Sequence, residues 1–203
     1  MNLIGNNCGS SFILKKMGKE FNNPFVWCSI PPKDMIALIK DYNTIDFNNI
    51  KIISMDKNLY PKNELIQSKL SENKIYGVKI DNKIKVYFTH YLNGDSIEPI
   101  KDGIDIFIKD NEKFVKEKYL DRLTRNGIKE KPIFYIIPYS FNEWTDEDVV
   151  TLCNLDMPYR IILIYPRIIE HKPNVNIIIS DINDGNAERI TERNFNEIYK
   201  MLS

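Results

Sequence analysis

The apolar positions follow two rhythms, and the change between them marks out the elements. Asn2 to Gly5 is a short apolar run that predicts a first strand. Ser10 or Ser11 is placed to cap a helix carrying Phe12, Ile13, Leu14 and Met17, and Gly18 stops it. Pro24, Pro31 and Pro32 forbid a continuous helix through the next stretch. Pro31 and Pro32 then open a second helix whose stripe is Met35, Ile36, Leu38 and Ile39. Ile50 to Met55 is a strand candidate. Two further runs, KIYGVKI and KIKVYFTHY, flank Asp81-Asn82 and predict a β-hairpin. GIDIFI reads as one more possible strand. NEKFVKEKYLDRLTRNG reads as a helix with Phe114, Val115, Tyr119, Leu120 and Leu123 on one side and Gly127 beyond its end.

From Ile133 onward strand and helix patterns alternate. Ile133 to Ile137 is apolar and β-branched. In TDEDVVTLCNL, Thr145 is an N-cap and Asp148 completes a capping box. RIILIY and NVNIIIS predict strands, and TERNFNEIYKML predicts a final helix capped by Thr191. Strands that are apolar throughout, separated by helices, predict an α/β layered fold: a mostly parallel sheet with helices on its faces. The chain reads as a single domain over residues 1–203, with a hairpin-containing insertion or sheet edge at about 73–108. No internal repeat or linker interrupts it.

Composition narrows the function classes. At 203 residues the chain is long enough to hide roughly 70% of its unfolded surface. Its 28 basic and 28 acidic side chains cancel without forming blocks, which argues against a nucleic-acid partner. No apolar run reaches the length of a membrane span, and the first residues lack the pattern of a signal peptide. Three cysteines cannot all pair, so a reducing, cytoplasmic setting is expected.

The candidate chemistry gathers at Gly5-Asn6-Asn7-Cys8-Gly9-Ser10-Ser11. In an α/β fold, reacting groups collect beyond the carboxyl ends of strands, at helix N-termini. There a cysteine gains thiolate character, and backbone N–H groups can hold an oxyanion. Asn6, Asn7, Gly9 and Ser10 are the candidate oxyanion or ligand-binding groups. A nucleophilic thiol needs a base. Of two histidines, His90 ends a predicted strand and is the better partner, whereas His171 lies in a surface loop beside Pro173. The alternative stays open: a cysteine between a strand and a helix also serves as a small packing residue. Cys28 and Cys153, among apolar neighbours, read as inert.

The segment IGNNCGSSFILKKMGKEFNNPFVW resembles the opening of a bacterial family of unknown function described as papain-like cysteine peptidases. The matching positions are Gly5, Asn7, Cys8, Lys16, Gly18, Pro24, Phe25 and Trp27. Val26 stands where that family tends to have aspartate. NNPFVWCSIPPKDMIALIKD, VYFTHY with His90, and the helix with Tyr119, Arg122 and Arg125 are similar to a neighbouring family of exopolysaccharide biosynthesis proteins. The resemblance implies a Cys8–His90 pair and a role near surface-polysaccharide products. No third residue to orient His90 can be assigned, since Asn93, Asp95 and Asp105 are merely close in sequence.

Other signals are weaker. Arg122 and Arg125 could bind an anionic group, although a solvated helix face also uses such residues. Asp102, Asp105, Asp110 and Glu112 do not match a calcium loop. Asp181, Asp184 and Asn186 follow a strand and could equally make a turn. Phe141 and Trp144 could stack on a sugar or pin a loop to the core. With no P-loop, no Cys-x-x-Cys and no zinc spacing, neither cofactor nor metal is expected. The reading is a thiol hydrolase or acyl-transfer enzyme on a small-molecule, peptide or glycan substrate. The alternative is a non-catalytic ligand- or glycan-binding protein of exopolysaccharide biosynthesis. Oligomeric state is not legible.

Overall fold

The computed structural model describes residues 1–19, 23–26, 28–56, 74–88, 104–125, 127–138, 143–183 and 186–203, with 56, 74, 104–112 and 114 described by backbone alone. Four strands form a parallel sheet: β1 (Asn2–Gly5), β5 (Pro132–Ile136), β6 (Arg160–Tyr165) and β7 (Val175–Ile179), in the order β1-β5-β6-β7. Leu3 pairs with Ile133, Phe134 with Ile161, and Ile162 with Asn176. β2 (Ile50–Asp56), β3 (Lys74–Ile80) and β4 (Ile84–Tyr87) make a separate antiparallel sheet in that order. The α/β reading holds, and β2 joins the hairpin rather than the parallel sheet.

Both faces of the parallel sheet are covered, which is why its strands are apolar at successive positions. Tyr135, Ile137, Ile162 and Ile164 face one side with Leu3. They pack with Ile13 and Leu14 of α1 (Gly9–Lys16), Ile190 of α5 (Ala187–Arg193) and Ile198 of α6 (Phe195–Leu202). Ile4, Phe134, Ile136, Ile161 and Leu163 face the other side. That core takes in α2 (Pro32–Asp41), α3 (Ile104–Thr124) and α4 (Asp146–Cys153), and continues into Tyr76, Val78, Val86 and Phe88 of the second sheet and its exit. A bridge between Ser29 and Tyr87 also fastens the second sheet, with hydrogen bonds of 2.7 and 2.8 Å.

Several local expectations hold. Asp81 and Asn82 both take positive φ, 50° and 55°, as a tight hairpin turn requires. Thr145 and Asp148 close a capping box on α4. Pro31 and Pro32 open α2, and Gly18 turns the chain at φ 62° after α1. Other local expectations fail. GIDIFI is not a strand, because α3 begins at Ile104 and runs without interruption into the predicted helix. The acidic positions 105, 110 and 112 therefore lie on helical backbone. Thr191 does not cap the last helix. Asn186 caps α5 by accepting from the Arg189 N–H at 3.1 Å, and the chain breaks at Asn194 before α6. Thr191 lies buried inside α5 and bonds the Tyr135 hydroxyl at 3.1 Å.

Candidate active site

β1 delivers the chain to the carboxyl edge of the parallel sheet, and the turn from Gly5 to Cys8 starts α1 there. The expected caps, Ser10 and Ser11, lie inside the helix, and Cys8 is the N-cap residue. Its carbonyl accepts from the Ser11 and Phe12 N–H groups at 3.0 and 3.2 Å. The cap's missing side-chain bond comes from the residue before, since Asn7 Oδ1 accepts from the Gly9 N–H at 2.9 Å. This fits an Asx turn better than a serine cap.

The two asparagines build the turn. Asn6 Oδ1 accepts from the Ile137 N–H and Asn6 Nδ2 donates to the Ile137 carbonyl, both at 2.9 Å. Asn7 Nδ2 donates to Asn6 Oδ1 at 3.0 Å and to the Ile137 carbonyl at 3.2 Å. Both residues are buried. These carboxamides tie the loop to the strand beside it. The glycines are required by space. A Cβ on Gly5 would lie 2.6 Å from Ser10 Oγ, and one on Gly9 would lie 2.7 Å from the Tyr135 ring.

Cys8 is partly exposed, whereas Cys28 and Cys153 are buried. Burial pushes the Cys28 thiol well up, and it raises that of Cys153 as well. Ser10 has no exposed surface, and its hydroxyl, beneath Gly5, has no hydrogen-bond partner among the described residues. Of the amides that open α1, those of Gly9, Ser11 and Phe12 are engaged, while the Ser10 N–H donates to no group among the described residues.

His90 lies outside the described residues, as do Asp102, Phe141 and Asp184. The strand that leads to it ends on the site's margin. Tyr87 pairs with Ser29, and the next residue, Ile30, donates its N–H to the Asn6 carbonyl at 3.0 Å. His171 is exposed in its loop, with Nδ1 2.8 Å from the Ile169 carbonyl.

Arg122 is buried and donates from Nη1 to the Val26 carbonyl at 2.9 Å, so it does not sit on a solvated face. Its burial lowers its pKa. Arg125 is half-exposed in a 2.5 Å ion pair with Asp121. Trp144 is buried and pins its loop to the core, with no partner for its indole N–H among the described residues. Asp181 accepts from the Asn183 N–H in a local turn. Arg122's burial was legible as a spacing, because it follows Val115 by seven residues and Tyr119 by three on one helix face.

Among the described residues no group of three or more His, Cys, Asp or Glu is placed to hold a metal ion. No described helix is long and apolar enough to cross a membrane. No curated protein matches the chain. Residues 1–180, which run from β1 through the end of β7, match a family described as a domain of unknown function (DUF1919), and the chain belongs to that family.

Proposed function

We propose that the protein is a cysteine-dependent enzyme of hydrolase or acyl-transfer type. Cys8 is the nucleophile and His90 the general base, and the link to surface-polysaccharide biosynthesis rests on the resemblance carried by the first forty residues and by VYFTHY. Cys8 attacks a carbonyl carbon, His90 takes the thiol proton, and the developing oxyanion needs donors at the start of α1. The observation that carries this reading is Ser10. The Asn6 and Asn7 carboxamides and the Gly9, Ser11 and Phe12 amides are engaged, yet a fully buried hydroxyl and its own amide have no partner among the described residues, two residues from the thiol. A buried polar group without a partner is uncommon and calls for a role. The oxyanion role thus falls to Ser10 rather than to Asn6 or Asn7.

The test is the pH dependence of iodoacetamide alkylation at Cys8, read by mass spectrometry in the native protein and in His90→Ala, with Cys28 and Cys153 as internal controls. An apparent pKa below the free-thiol value of about 8.5, raised by His90→Ala, is the expected result. A Cys8 no more reactive than the two buried thiols overturns the enzyme and leaves the glycan-binding alternative.

A further inference from the structure

The amino ends of the parallel strands carry a concavity of their own, on the sheet edge opposite the Cys8 turn. β5 enters it with Lys131, Pro132 and Ile133, β6 with Pro158, Tyr159 and Arg160, and Asn174 closes it just before β7. It is an open groove of about 410 Å³, within the range that holds a small molecule. Its chemistry is of three kinds.

The first is positive charge without a counterion. Lys131 makes no ion pair or hydrogen bond among the described residues, and the adjacent Glu130 is taken by the Met1 amino group at 2.6 Å. Arg160 is bonded to neutral acceptors: Nε donates to Asn176 Oδ1 at 3.0 Å and Nη1 to the Met201 carbonyl. Those bonds fix the guanidinium without neutralising it, and Nη2 has no partner among the described residues. In a chain whose charges balance overall, a groove lined by two cations and no carboxylate attracts an anion. The second is an acceptor out of use. Asn174 Nδ2 holds the Tyr159 carbonyl by a long bond of 3.3 Å, and its buried Oδ1 has no partner among the described residues. A small turn of the carboxamide toward the groove satisfies that oxygen once a donor is present. The third is an apolar wall of Pro132, Ile133, Pro158 and Tyr159, whose two prolines have no N–H to offer.

We propose that this groove binds a sugar phosphate. The phosphate sits between Lys131 and Arg160, a ring hydroxyl donates to Asn174 Oδ1, and the C–H face of the ring lies on the prolines and Ile133. An inorganic anion answers to the cations alone, and a free sugar to the acceptor and the wall alone. A phosphorylated ring uses all three. The groove lies a strand's length, about 15 Å, from the Cys8 turn, so this binding stands apart from the chemistry proposed there and does not rest on it.

The experiment titrates the native protein with glucose phosphate (the anomeric ester), inorganic phosphate and glucose, following the backbone amides of Ile133, Arg160 and Asn174 by NMR. The expected result is saturable shifts at these amides with the ester, about tenfold tighter than with either fragment. Lys131→Gln, which loses no hydrogen bond or ion pair among the described residues, weakens the ester about threefold, and added salt weakens it further. Inorganic phosphate binding as tightly as the ester makes the groove an adventitious anion site only and overturns the proposal. Amides that stay unmoved at millimolar ester overturn it too, as does an unchanged affinity in Lys131→Gln.

Discussion

Asn6 occupies three neighbours at once. Its N–H donates to the Tyr135 carbonyl at 3.3 Å, its carbonyl accepts from Ile30, and its carboxamide closes on both polar groups of Ile137. Asn6→Ala removes the Ile137 N–H acceptor in a buried site, and the expected loss is about 2–4 kcal/mol in urea unfolding. A loss under half a kilocalorie would show that the turn is held by its backbone alone. The sequence marks Asn6 and Asn7 as amides beside a cysteine but not their partner, because Ile137 lies 131 residues from Asn6 and no local pattern spans that distance. Arg122 hid differently. Asp121 before it and Arg125 three residues on suggested solvent, and only the spacing from Val115 and Tyr119 pointed inward.

Elements defined by local chemistry were the legible ones. The capping box of α4 and the Asp81-Asn82 turn need only residues adjacent in sequence, so they could be read directly. The left-handed φ at Asn82 yields a graded expectation. Asn82→Gly keeps or slightly raises the melting temperature, whereas Asn82→Ala lowers stability by about 1 kcal/mol. Equal effects would mean the turn tolerates another geometry. The start of α3 was not legible, because Ile-Asp-Ile-Phe-Ile alternates like a strand while continuing a helix. Thr191, expected to cap the last helix, instead lies inside α5, which Asn186 caps, and its hydroxyl is bonded to Tyr135 in the core.

At the scale of the whole molecule, one core runs from the parallel sheet through α2 and α3 into the antiparallel sheet, and the Ser29–Tyr87 bridge joins the two by backbone. A molecule so connected is expected to unfold in one step. Far-ultraviolet dichroism and tryptophan fluorescence should trace coincident urea transitions, and separated midpoints would show that the second sheet melts by itself. The Asn6–Ile137 bonds also set an order of events during synthesis. At about 5–20 residues per second, the ribosome makes Cys8 roughly 6 to 26 seconds before the strand that completes its turn. Through that interval the thiol travels on an unfinished chain, and the turn around it closes only when β5 emerges.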